Sequence, residues 1–262
     1  MTPALMIILN IHGPTAVGTD LTVILANSSL GMLKRRGSGT IDVKLGLTIA
    51  TGSVFGVLAG SHFLELLENA PKLIIFGKEQ ETVQYSLLCM FLVLLACIAG
   101  YMSFDYKLNS GKTIDKRTGL LAAIKIPPYL YFPSLNQPQL SILMLFILGF
   151  CVGILTGLMG VGGGIVLLPA LVYLVGQQTN KAVGTSLLLV WISSLVAVIR
   201  KTSAGQVSLL LLLFLLVGGL TGTLLGTKIG LKLTGHKIRQ YFIYVVIAAI
   251  LMVGYKLCVM TF

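Results

Sequence analysis

The densest run of residues able to do chemistry is a glycine cluster. Gly160, Gly162, Gly163 and Gly164 lie inside GILTGLMGVGGGIVLLPALVYLVGQQTNKAVGTSLLLV, residues 153–190. Glycine is a poor helix former, so an apolar helix entering this run breaks there. Bare backbone N–H groups at such a break can come close to a ligand, and a helix restarting near Ile165 aims its partly positive end at the same spot. Pro169 falls within that restart. A second helix start near Thr179 leads into Gly184, Thr185 and Ser186, which add hydroxyl donors. Converging N–H and O–H donors without a fixed countercharge suit a small anion. They do not make a nucleotide site: a G-x-G-x-x-G reading from Gly160 and Gly162 meets Ile165 at its third glycine, and no Lys-Ser/Thr pair follows as in a P-loop.

The other candidates are fewer. Asp20 is the only acid well inside an apolar span, and intramembrane carboxylates are functional candidates by default. It can carry a coupling proton, or cap helix N–H groups just after Gly18 and Thr19. Cys89, Cys97, Cys151 and Cys258 sit in apolar segments without CxxC or Cys/His metal spacing. Only Cys151, shortly before the glycine cluster, is a candidate substrate contact. His12, His62 and His236 show neither triad nor ligand spacing, and no nucleophile–base pair, metal set or cofactor motif stands out. The chain is therefore expected to be no enzyme, and to need no metal or cofactor.

The elements that would position these residues are membrane helices. The chain has 262 residues, 56% hydrophobic and 10% charged, with a net charge of +11 and a mean hydropathy of +0.95. Soluble domains carry about 25% charged residues. Crossing a bilayer takes about 20 apolar residues in a helix. Residues 45–64 have no charge beyond His62, and residues 84–104, 182–199, 202–227 and 240–255 have none. Residues 16–33 form a span interrupted by Asp20, and residues 126–180 hold no Asp, Glu, Lys, Arg or His at all. Within that stretch residues 140–158 read as a span, while 165–175 is too short to cross and reads as a half-helix. The basic residues punctuate these runs, which speaks for the lipid bilayer and against nucleic acid as a partner. The first residues do not have the make-up of a signal peptide.

A shift of 166 residues superimposes two stretches of the chain. Ala16-Val17-Gly18-Thr19-Asp20-Leu21 falls on Ala182-Val183-Gly184-Thr185-Ser186-Leu187, Pro3 falls on Pro169, and Gly52, Gly56 and Gly60 fall on Gly218, Gly222 and Gly226. The last six, spaced as in GxxxG, read as helix-packing glycines. In this register the first half has no counterpart of residues 140–164, so a helix and glycine loop of about 30 residues are expected upstream, in keeping with a repeat unit of this kind. Residues 1–115 carry eight basic and eight acidic side chains; residues 116–262 carry eleven basic and no acidic ones. Residues 62–85 are acid-rich, while their counterpart around 228–239 is wholly basic. Because basic loops stay on the cytoplasmic side, the equivalent loops are expected on opposite faces, with Arg200 and Lys201 as an exception on the outer one. The expected fold is thus all-α: a polytopic membrane protein of two inverted repeats with broken half-helices at the midplane. Residues 1–104 form the first repeat, 105–139 a cytoplasmic linker and 140–262 the second.

GLMGVGGGIVLLPAL at 157–171 with KAVGTSLL at 181–188, and MTPALMIILNIHGPTAVGTDL at 1–21, resemble the TauE/SafE family of sulfite exporters along essentially the whole chain. The resemblance implies a multi-pass protein of the cell inner membrane that exports sulfite or an organosulfonate. Carried over by position, its binding region comprises Gly160, Gly162, Gly163, Gly164, Pro169, Gly184, Thr185 and Ser186, with Pro3, Gly18, Thr19 and Asp20 from the other half. The expected partner is a small inorganic or organosulfur anion, and a homodimer is compatible with the reading. Two alternatives stay open: a membrane assembly subunit that transports nothing, and an importer of another sulfur anion or a carboxylate.

Overall fold

The computed structural model describes residues 2–9, 11–68, 73–75, 78–80, 82–108, 119–124, 126–132, 135, 139–160 and 162–261. Seven of its helices are long and apolar enough to cross a membrane. In chain order they are α2 (Gly13–Arg35), α3 (Val43–Glu68), α4 (Thr82–Leu108), α5 (Ile142–Met159), α7 (Thr179–Ser203), α8 (Leu209–Gly230) and α9 (Gly235–Thr261). Two shorter pieces interrupt the series: α1 (Thr2–Ile8), and α6 (Gly164–Pro169) running on as a π-helical turn over Ala170–Val175. Proline at 169 has no N–H to return to the preceding turn, and the register widens directly after it.

The ends of these helices follow from local chemistry. Pro14 sits in the first turn of α2, where a missing N–H costs nothing, and Lys34 and Arg35 sit in its last turn, beside the negative end of the helix dipole. Arg200 and Lys201 do the same for α7. The charge-free run 202–227 is not one span: α7 ends at Ser203, the chain turns at Gly205 with φ of 67°, and α8 starts at Leu209. Between the helices lie two antiparallel ladders that hydropathy does not foretell. Leu73–Ile75 (β1) pairs with Lys78–Gln80 (β2), and Tyr129–Tyr131 (β3), inside the stretch expected to be a linker, pairs with Gln139–Ser141 (β4) across its expected end.

α7 and α8 begin 166 residues after α2 and α3, as the repeat requires. The contacts between halves come in matched pairs. A Cβ added at Gly18 would collide with the Gln206 carbonyl oxygen, and one at Gly184 with that of Thr40. The Ser208 amide donates to Thr19 Oγ1 over 3.1 Å, and the Asp42 amide donates to Thr185 Oγ1 over 3.1 Å. In each pair both members differ by the same 166 positions. The start of α2 thus meets the end of α7, while Gly31 near the end of α2 meets Leu187 near the start of α7. α2 and α7 run antiparallel.

The tightest packing joins α3 to α5. A Cβ at Gly52, Gly56 or Gly60 would strike the carbonyl oxygen of Phe146, Phe150 or Ile154, and one at Gly149, Gly153 or Gly157 would strike that of Ile49, Ser53 or Val57. Small residues every fourth position let two backbones approach this closely in a membrane. The packing expected of Gly218, Gly222 and Gly226 differs: among the described residues nothing lies within 4 Å of a Cβ at any of them.

Candidate functional site

The glycine loop breaks the membrane span where the sequence says it should. Gly160 caps α5 in the left-handed region with φ of 69°, and its amide donates to the Thr156 carbonyl over 3.0 Å. Gly162 and Gly163 follow at φ of 62° and 73°, conformations that side-chain-bearing residues adopt at a cost. Val161 lies outside the described residues. Space as well as φ excludes side chains. A Cβ at Gly162 would sit 2.7 Å from Ile24 Cγ2, and one at Gly163 would sit 2.9 Å from Val152 Cγ1 and 3.0 Å from Thr156 Oγ1. Gly164 has more room, with Val190 Cγ2 at 3.7 Å. Ile24 is near the middle of α2 and Val190 near the middle of α7, so the loop lies halfway along both helices.

Hydroxyls surround the loop. Ser194 Oγ is buried 3.4 Å from where a Gly162 Cβ would stand, and it has no hydrogen-bond partner among the described residues. Thr156 Oγ1 donates to the Val152 carbonyl over 2.9 Å. Thr2 Oγ1 reaches the Gly160 carbonyl at a long 3.4 Å. The neighbouring residue of α7, Ser193, donates its hydroxyl to Ser53 Oγ over 3.1 Å. Sequence reading passed over Ser194, Thr156 and Thr2; the one signal for Ser194 was a Ser-Ser pair within an apolar run, matched by Asn27-Ser28 in the repeat.

Asp20 is fully buried, one turn before Ile24. Its position inside α2 rules out capping of its own helix. Instead Oδ2 accepts from the Thr2 amide and, over 2.7 Å, from Thr2 Oγ1, so the carboxyl group holds the first turn of α1. The counterpart of Thr2 is Leu168, inside α6 and without a hydroxyl, and the counterpart Ser186 turns back to the Val183 carbonyl over 2.9 Å. Replacing Asp20 by Ala is expected to destabilise the protein by about 1–3 kcal/mol, because it strands the buried Thr2 donors. Asp20→Asn keeps one acceptor oxygen, so it is expected to lose less and to leave the pH profile of transport unchanged. Thermal unfolding and flux at several pH values check both.

The remaining predicted residues do not gather at the loop. Gly18 and Thr19 pack on Gln206 and Ser208, whereas Gly184 and Thr185 pack on Thr40 and Asp42. Roughly 20 Å of helix separates Gly18 from the Gly31 end of α2, at ~1.5 Å per residue. These two pairs therefore clamp opposite ends of the α2–α7 pair. Gln177 Nε2 also donates to Thr185 Oγ1, over 3.0 Å. Pro3 lines a cavity of ≈ 150 Å³ shared with Thr2, Ile165, Phe91 and Val253, where both half-helices begin. Pro169 faces another, apolar cavity of ≈ 240 Å³ with Cys97, Tyr101 and Tyr173. Cys151 is exposed on α5 and does not turn to the loop.

The end of α7 is neutralised by the end of α3. Arg200 pairs with Glu65 at 3.3 Å, Gln206 Nε2 donates to Glu68 Oε2 over 2.9 Å, and buried Lys201 Nζ donates to Gln206 Oε1 over 2.9 Å. The acids that make residues 62–85 acid-rich begin here, so the basic pair and the acid-rich segment share one face.

Comparison with known proteins gives a family and several relatives. A family model described as Sulfite exporter TauE/SafE matches residues 1–253. The chain is 27% identical over 209 residues to the probable membrane transporter protein YunE of Bacillus subtilis strain 168, covering 78% of this chain and 67% of that protein. It is 27% identical over 221 residues to YjnA, another probable membrane transporter protein of that organism, covering 84% and 76%. A probable membrane transporter protein of Xylella fastidiosa strain Temecula1 is 23% identical over 258 residues, covering 97% and 85%. No solved structure gives a match.

Proposed function

The chain belongs to the TauE/SafE sulfite exporter family, and on that premise we propose that it is a secondary transporter exporting a small oxyanion, sulfite or an organosulfonate, across the cell inner membrane. The observation that carries the reading is the glycine loop halfway along α2 and α7, with the buried Ser194 hydroxyl beside it unpartnered among the described residues. The three oxygens of a pyramidal sulfite match backbone N–H and hydroxyl donors that converge without a fixed positive charge. The start of the Gly164–Val175 helix adds the positive end of its dipole. Donors of this kind release the anion more readily than a salt bridge would, which suits a carrier.

The two halves act as inverted repeats that rock about this loop. In support stand the antiparallel course of α2 and α7 and the matched clamps at their ends, Thr19 with Ser208 and Thr185 with Asp42. Each clamp ties one half to the turn before α3 or α8 of the other half, so loosening one while the other holds exposes the loop to one side at a time. An inside-negative potential drives the anion outward. Asp20, engaged by α1, stays out of the anion's way.

Cells degrading an organosulfonate test the cargo. With the chain expressed, sulfite is expected to appear outside faster, and added sulfonate rather than acetate to compete. Competition by acetate alone would favour the carboxylate reading. Cys151→Ala is expected to leave efflux within about twofold of the parent, since the thiol is exposed away from the loop.

A further inference from the structure

Two buried cations sit on the helices that frame the glycine loop. Arg35 ends α2 at 5% exposure, and Lys201 lies in the last turn of α7 at 1%. They are counterparts, displaced by the same 166 positions, and so are the buried residues that lead to them. Ser28, Gly31 and Arg35 line one face of α2, and Ser194, Ala197 and Lys201 line the equivalent face of α7. Because α2 and α7 run antiparallel, the cations lie at opposite ends of the pair with the loop between them. Ser194 and Ile24 stand at the loop, with Lys201 about 10 Å of helix beyond the first and Arg35 about 16 Å beyond the second. Each cation stands at a clamp. Lys201 Cβ lies 3.3 Å from where a Gly18 Cβ would be, and its Nζ donates to Gln206, whose carbonyl oxygen fills Gly18. Arg35 precedes Thr40, whose carbonyl oxygen fills Gly184, by the same five positions that separate Lys201 from Gln206.

Neither cation touches a carboxylate among the described residues. Lys201 reaches only the neutral amide of Gln206, and the Arg35 guanidinium has no hydrogen-bond or ion-pair partner there. A buried charge without a counter-ion is costly. The helix ends do not require it, because Lys34 and Arg200 serve the same last turns from the exposed surface. We propose that Arg35 and Lys201 are two anion stations, one at each mouth of the path, where the cargo supplies the absent countercharge before and after it occupies the glycine loop. This inference rests on the oxyanion reading of that loop. The loop's donors carry no net charge and release the anion easily; a cation at each mouth draws it out of water towards them. An anion at either station also lies beside the clamp that loosens on that side. The stations are unequal: Gln206, itself held by Glu68, engages Lys201, and nothing similar engages Arg35. The Arg35 mouth, expected on the cytoplasmic side, takes the anion more strongly, and the Lys201 mouth gives it up more readily, as export requires.

The test uses the full chain in proteoliposomes with radiolabelled sulfite. Arg35→Gln is expected to lower flux at low sulfite by about tenfold or more, while flux at saturation falls by less than about threefold. Lys201→Gln does the same to a smaller degree, and the charge-keeping Arg35→Lys and Lys201→Arg recover most of the loss. Thermal unfolding without anion stays at the parent's temperature or rises in both Gln variants, because a buried charge without a counter-ion has gone. The stabilisation that sulfite gives the parent shrinks in the same variants. Gln variants that do not fold, or that unfold more easily yet keep the parent's flux at low sulfite, assign the cations to the helix ends and overturn the inference. Equal loss of low and saturated flux, or no recovery by the charge-keeping variants, overturns it as well. All these results leave the sulfite reading standing, whereas parent flux at the protein-free rate overturns that reading and the inference with it.

Discussion

Gly56→Leu is expected to abolish most of the folded protein, while Gly222→Leu, the same change at the equivalent position of the repeat, leaves it unaltered. The Gly56 Cβ would occupy the place of the Phe150 carbonyl oxygen, and that oxygen belongs to helix backbone, which cannot swing aside as a side-chain tip can. α5 would have to move away as a unit, opening contacts along Gly52, Gly60, Gly149, Gly153 and Gly157 as well. Overpacking of a tight interface costs about 3 kcal/mol at its upper range, comparable to a large part of a domain's stability. At Gly222 an added Cβ has nothing within 4 Å among the described residues. Yield of monodisperse protein and thermal unfolding of the two variants check the contrast.

The second large effect is on transport. Gly163→Val is expected to reduce sulfite flux to the background rate without unfolding the helices around it. Two costs combine at this position. A β-branched residue at φ of 73° is strained by roughly 1–2 kcal/mol, and its Cβ presses on Val152 Cγ1 at 2.9 Å and Thr156 Oγ1 at 3.0 Å. Both are relieved by rotating the loop, which changes the donor geometry it offers an anion. Removing the hydroxyl alone, in Ser194→Ala, deletes one donor and is expected to weaken flux about three- to tenfold.

Several of these features were legible in the sequence and others were not. The helix starts at Gly13, Val43, Thr179 and Leu209 keep the spacing of the repeat because the same glycine-threonine and turn chemistry recurs in both copies. The break at Gly160–Gly164 was legible because clustered glycines oppose helix whatever surrounds them. The spacing of Gly52, Gly56 and Gly60 matches that of Gly218, Gly222 and Gly226, so spacing could not tell the occupied stripe from the open one; only the position of α5 does. Similarly, nothing local to Asp20 names Thr2 as its partner, since the bond joins two helices. Gly184-Thr185 stood out as donors at a helix start and Gly18-Thr19 through the family resemblance; in the structure both also join the two halves. Their glycines admit a neighbouring carbonyl group, that of Gln206 or Thr40. The ladder of Tyr129–Tyr131 with Gln139–Ser141 lies in a proline-rich stretch whose composition reads as loop.

The chain's charge also gains a structural meaning. Arg200 sits against Glu65, and Lys201 reaches Gln206, which Glu68 holds, so the basic end of α7 and the acid-rich end of α3 balance one another at one face. The acid-free counterpart lies at the other end of the antiparallel α2–α7 pair.

The most direct measurement is efflux of radiolabelled sulfite from proteoliposomes under an imposed inside-negative potential, with the parent and Gly163→Val compared after both are shown to be folded by thermal unfolding. The glycine-loop account predicts saturable efflux in the parent, faster with the potential than without it, and efflux at the protein-free rate in the variant. Undiminished efflux through Gly163→Val, or none above the protein-free rate in the parent, would contradict it.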